Sequence, residues 1–142
     1  MNRKGFSLIE LVVVVMILGI LAAIAVPKLL NTSQVAVDNG IKATLDTVRD
    51  AIEIYTAENN GALPGQTDDL PGDIALYLRG DFPVCPVGPA TNATIKYSAS
   101  SGTIAGAAAP TEGWHYNKTT GEFICNFTGK TASDAAVSYD QL

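Results

Sequence analysis

The chain has 142 residues, 47% of them apolar, with 9 basic against 14 acidic side chains and a formal net charge of −5. That length holds one domain of ordinary size beside a membrane segment, and the acidic balance argues against a nucleic-acid partner. Two cysteines and one distant histidine do not make a tetrahedral metal site, so no metal ligands are expected.

Residues 5–28 read GFSLIELVVVVMILGILAAIAVPK. From Phe6 to Val26, 21 residues carry one charge, Glu10, and one polar side chain, Ser7. At about 1.5 Å of rise per residue, a helix of this length spans the ~30 Å hydrocarbon core of a bilayer. Arg3 and Lys4 precede it, which places the rest of the chain on the non-cytoplasmic side. A carboxylate within an apolar helix in lipid costs about 2.5–3.5 kcal/mol and marks a function with a partner. Glu10 stands one turn from Phe6. A cut between Gly5 and Phe6 would put a new α-amino group within a turn of that carboxylate, so that the two charges could neutralise each other. A secretory signal peptide shares the basic start and a small-residue stretch, here Ala23-Ile24-Ala25. Its apolar region is usually about 7–15 residues long, and Glu10 and Pro27 have no place in it.

The run Lys4-Gly5-Phe6-Ser7-Leu8-Ile9-Glu10-Leu11, followed by an apolar stretch with Gly19 and Pro27, resembles the leader and anchor of type IV pilins and type II secretion pseudopilins. The resemblance implies that a prepilin peptidase cuts between Gly5 and Phe6 and that Phe6 is N-methylated. It implies that Glu10 pairs with the amino terminus of an adjacent subunit as inner-membrane machinery assembles a helical filament. It also implies a filament in which the helix can give way at Gly19 and Pro27; a simple kink at the proline is the plainer reading.

Beyond the anchor, Val37, Ile41, Leu45, Val48, Ile52 and Tyr55 recur at helical spacing, which predicts an amphipathic continuation of the same helix. Asp38, Lys42, Asp46, Arg49, Asp50 and Glu53 are assigned to its wet face, and Asn59-Asn60-Gly61 to its end. Residues 61–88 are loop-rich, with a short helix expected over 73–79 and an acidic cluster of Asp68, Asp69, Asp73 and Asp81. A solvated loop is the expected role of that cluster; calcium is the lesser alternative, because the spacing matches no EF-hand. Strands are expected at 94–97, 114–116 and 122–127, the last two joined as a hairpin through Asn117 to Gly121. Residues 98–110 are small and flexible, and the tail, 128–142, is polar and expected to be loosely held. The pattern Trp114-His-Tyr-Asn-Lys-Thr-Thr-Gly-Glu122 resembles a hairpin near the end of pseudopilin-like proteins. Cys85 and Cys125 lie on the non-cytoplasmic side of the anchor, where an oxidising compartment favours one disulfide between them.

The expected fold is α+β, a long N-terminal helix packed on a small C-terminal antiparallel sheet. Its divisions are a leader at 1–5, a membrane-spanning helix at 6–27, an amphipathic half at 28–60 and a globular part at 61–142. No catalytic motif or cofactor cradle is present, and the lone His115 sits in a predicted strand. The function expected is a structural subunit of a type IV pilus-like or pseudopilus filament, held in the bacterial inner membrane and then built into a periplasmic or surface fibre. The alternative is a membrane-anchored extracytoplasmic binding module that does not polymerise.

Overall fold

The computed structural model of the protein describes residues 6–142. It divides into two compact units, Met1–Gln34 and Val35–Leu142. One helix, α1 (Leu8–Glu58), contributes to both and runs through Gly19 and Pro27 without interruption. In the first unit its side chains are exposed wherever they are described: Leu8, Ile24 and Leu29 keep 81, 69 and 68% of their surface. Within the described residues this is the one helix long and apolar enough to cross a membrane.

In the second unit the same helix changes character. Ile41, Leu45, Val48 and Ile52 are buried, and Val37 and Tyr55 pack half-buried beside them. Burying each such side chain is worth about 1.5–3 kcal/mol, enough for the stripe to bind helix to domain. The helix ends at Glu58 and is closed, as expected, over Asn59–Gly61: Asn60 has a left-handed φ of 55°, and the Gly61 amide donates back to the Thr56 carbonyl at 2.8 Å. Asp38 departs from the expected wet face. It is fully buried, because it lies three residues before Ile41 and so on the apolar stripe itself.

A short helix, α2 (Leu70–Ile74), begins three residues earlier than expected and runs on into a 3-10 turn, Ala75–Tyr77. Asp69 caps it through the Gly72 amide at 3.0 Å, and Pro71 fills the first turn. The strands are β1 (Ile95–Ser98), β2 (Trp114–Asn117) and β3 (Phe123–Cys125), in the order β1-β2-β3. The β2–β3 hairpin is antiparallel, and Gly121 takes the left-handed position at φ 76°. The β1–β2 pair is parallel, so the sheet is mixed rather than antiparallel. The connection over residues 99–113 explains this, since a crossover of about a dozen residues or more can carry the chain back to start in the same direction.

Both faces of the sheet are covered. Trp114, Tyr116, Phe123 and Cys125 join the core with Ile41, Leu45, Val48 and Ile52. Three aromatic tips fix the loop region to this core. Trp114 Nε1 donates to the Pro83 carbonyl at 2.9 Å and the Tyr116 hydroxyl to the Pro64 carbonyl at 3.0 Å, while the Tyr97 oxygen accepts from the Leu70 amide at 3.0 Å. The opposite face carries His115, Asn117 and Ile124, all buried. Residues 99–110, expected to be a free loop, lie over that face, with Asn117 Nδ2 donating to the Ser100 and Gly102 carbonyls at 2.9 and 3.0 Å.

The tail is also docked rather than loose. Tyr139 is buried against the core and stacks on Phe127 with ring centroids 6.0 Å apart. Its hydroxyl donates to Asp38 Oδ1 at 2.6 Å, and the Ser133 amide donates to Asp38 Oδ2 at 2.7 Å. Arg49 adds a second tie, donating through Nη2 to the Phe123 carbonyl at 3.0 Å and the Leu142 carbonyl at 2.7 Å. One aromatic anchor and one buried carboxylate thus hold a segment whose composition is otherwise polar.

Candidate functional site

Three groups of residues singled out in the sequence can now be placed. The first is the start of α1. Gly5, with Arg3 and Lys4, lies outside the described residues; Phe6 is 79% exposed just ahead of the helix. Glu10 is not a lone charge. The Ser7 amide and the Ser7 hydroxyl both donate to Glu10 Oε2 at 2.8 Å, and the Glu10 amide reaches Ser7 Oγ at 3.3 Å. This is a capping box, in which residue and backbone satisfy each other at a helix start. The sequence carried its signature, Ser7 followed three residues later by Glu10 ahead of an apolar run. The arrangement holds the carboxylate at the first turn, beside the exposed Phe6, Ile9, Val13 and Val14.

The second group is the cysteine pair. The fold brings Cys85 and Cys125 together, both fully buried, with their sulfurs 3.5 Å apart. The structure holds them as thiols, farther apart than the roughly 2.05 Å of a sulfur–sulfur bond, and so brings the expected partners together without showing the bond. The hydrogen bond shared with Cys85, and then burial, push the Cys125 thiol well up from its ordinary value.

The third group is the acidic cluster, of which Asp81 is exposed and the other three carboxylates have separate duties. Asp68 pairs with Lys118 Nζ at 2.7 Å, Asp69 caps α2, and Asp73 accepts from the Gly65 amide at 2.7 Å. Among the described residues, no three His, Cys, Asp or Glu side chains come together as a metal site. His115 is a buried sheet residue that contacts the Ala105 carbonyl through Nδ1 at 3.1 Å.

Among the described residues, α1 is thus an exposed apolar helix with a capped carboxylate at its start, long enough to cross a membrane, that continues into the core of a small α+β domain. The prokaryotic N-terminal methylation motif family matches residues 1–26. The ComG operon protein 3 homolog of Bacillus licheniformis is 31% identical over 91 residues, which are 63% of this chain and 89% of that protein. The type IV narrow pilus major component PilA5 of Thermus thermophilus is 44% identical over 61 residues, 43% of this chain and 53% of that protein. The type II secretion system core protein G of Pseudomonas aeruginosa is 39% identical over 58 residues, 41% of each chain. No solved structure matches. The chain belongs to the type IV pilin and pseudopilin family. It spans about half the length of the two Thermus pilus components it matches.

Proposed function

We propose that this chain is a structural subunit of a type IV pilus-like or type II secretion pseudopilus filament, assembled from the bacterial inner membrane through its N-terminal helix. One observation carries the reading. The apolar side chains of α1 in the first unit are exposed, while the same helix is built into the core of the second. Such a surface needs lipid before assembly and other helices after it, and a head-to-tail contact that does not close makes a fibre. The relatives, a pilus component and a secretion-system core protein, support the same reading. A structural family speaks for a subunit that is not an enzyme.

In this reading a prepilin peptidase removes residues 1–5 and Phe6 becomes the methylated amino terminus, in keeping with the motif matched over residues 1–26. Glu10 then sets register. Ser7 caps the carboxylate but leaves its charge uncompensated, so a subunit placed out of step buries that charge among apolar helices with no cationic partner, a penalty of several kcal/mol. Gly19 and Pro27 are the positions where the helix can yield inside the fibre, because Pro27 removes one backbone donor from the ladder.

Intact mass and terminal sequencing of protein from its native membrane test the processing step; a chain starting at N-methyl-Phe6 is expected, and a chain starting at Val26 would overturn it. Glu10→Leu tests assembly. It should still insert in the membrane yet yield few filaments in sheared-cell electron microscopy, and normal filament yield would remove the register role. The same micrographs separate long surface fibres from short periplasmic ones.

A further inference from the structure

The segment that covers the second face of the sheet is held at three consecutive residues by side chains of the hairpin and the tail. The Ile104 amide donates to Glu122 Oε2 at 2.8 Å, the Ala105 carbonyl meets His115 Nδ1 at 3.1 Å, and the Gly106 amide donates to Asp140 Oδ2 at 3.0 Å. The central contact is the informative one. A carbonyl only accepts, so Nδ1 carries the proton there, and in the neutral ring Nε2 is left as a bare lone pair. His115 is 5% exposed, and its Nε2 is buried with no partner in hydrogen-bond reach. Asn126 Oδ1 and Ser98 Oγ are likewise buried without partners. The register puts Ser98 opposite Asn117, on the same face as His115.

We propose that residues 99–110 form a strap released by proton uptake at His115, and that release uncovers the sheet face carrying His115, Asn117 and Ile124. Charging the ring would place a second N–H at Nε2, where no protein acceptor lies within hydrogen-bond reach. A buried donor of that kind is costly, and a buried charge more so. The cheapest relief is to let water reach the ring, which means parting Ala105 from it. Lys96 repels the charged ring, while Glu122 and Glu112 attract it from the hairpin and the segment before β2. Burial outweighs these attractions and the hydrogen bond to Ala105, and holds the ring below its ordinary value of 6.5.

The sign follows. The open form, with a solvated ring, takes the proton first as the pH drops below 6.5, so the strap is fully held above that pH and loosens beneath it. For one proton, the opening equilibrium rises by up to about tenfold per pH unit until the closed form also titrates.

Hydrogen exchange of the full chain in detergent micelles, read by mass spectrometry at neutral and mildly acid pH, tests this. Rates are corrected for the intrinsic pH dependence of exchange and referred to peptides covering Ile41 to Ile52. Peptides over residues 99–110 should lose protection roughly fivefold or more on acidification. His115→Asn keeps a donor near the position of Nδ1 for the Ala105 carbonyl and does not titrate, so its protection ratio should stay flat. An unchanged ratio in the parent chain, or an equal loss in His115→Asn, would overturn the proposal. If His115→Asn does not fold, NMR titration of the His115 ring decides. A ring that protonates together with shifts of the Ile104 and Gly106 amides supports the strap, and a ring that titrates at its ordinary value with those amides unmoved refutes it.

Discussion

Tyr139→Phe removes one oxygen and tests how the tail is held. That oxygen donates to Asp38 Oδ1 at 2.6 Å, and the carboxylate is fully buried, with the Ser133 amide as its other close donor at 2.7 Å. A hydrogen bond to a charged group contributes about 1.5–3 kcal/mol, and the loss of one partner leaves part of a buried charge unsatisfied. For a domain of roughly a hundred residues, 1 kcal/mol moves Tm by about 4 °C, so the expected loss is roughly 6–12 °C near neutral pH. Thermal unfolding of the full chain in micelles, followed by the fluorescence of the one tryptophan, Trp114, reads it. The pH dependence makes the test specific. Burial pushes the Asp38 carboxyl up, but the hydrogen bonds from Tyr139 and Ser133 outweigh it and hold the group below its ordinary 3.8. The stability it confers is therefore present above pH 3.8 and is lost as the pH falls through the lower folded value. The gap between parent and variant should narrow over that same range. A loss below about 0.5 kcal/mol at neutral pH, or an equal loss in acid, would refute the account.

Three further outcomes are expected. Oxidation of Cys85 and Cys125 by a disulfide reagent should proceed without large rearrangement, remove two hydrogens by mass, and stabilise the domain by about 4 kcal/mol for a loop of 40 residues; failure to cross-link the folded chain would show that the thiols do not meet in solution. Gly113→Ala should cost more than 1 kcal/mol in denaturant unfolding, because a Cβ there would run into the Asn92 carbonyl and stand 2.8 Å from Cys85 Cβ; a neutral result would mean that this backbone can shift freely. Arg49→Met keeps the apolar stem but loses the donors to the Phe123 and Leu142 carbonyls, and should lower stability by about 1–3 kcal/mol with faster exchange at the tail amides; unchanged exchange there would deny Arg49 its role as a tie.

What could be read in advance depended on whether a signal was local. The stop at Asn60 and Gly61, the stripe from Val37 to Tyr55 and the turn at Gly121 are each specified within a few residues by helical spacing or by left-handed backbone, and each was legible. Strand direction was not. The alternation around Tyr97 marks a strand, but the crossover that makes β1 parallel to β2 depends on where residues 99–113 travel. Asp38 was misplaced because its charge was given more weight than its position, although 38, 41, 45, 48 and 52 keep an unbroken spacing of three and four. The tail was misjudged on average composition, when a single Tyr139 decides its fate. The Ser7–Glu10 capping box was legible too, as a serine followed three residues later by a glutamate, but Glu10 was weighed for its charge alone.

The Asp38–Tyr139 bond joins residues 101 apart in the chain. Closing a loop of that length costs roughly 4 kcal/mol of chain entropy before any contact rewards it. As the chain emerges residue by residue, α1 is made first, and its buried carboxylate receives the Ser133 amide and then the Tyr139 hydroxyl about a hundred residues later. Until those donors arrive the helix stripe carries an ionised group held by water, so the apolar face around Ile41 and Leu45 stays wet until the tail docks on it.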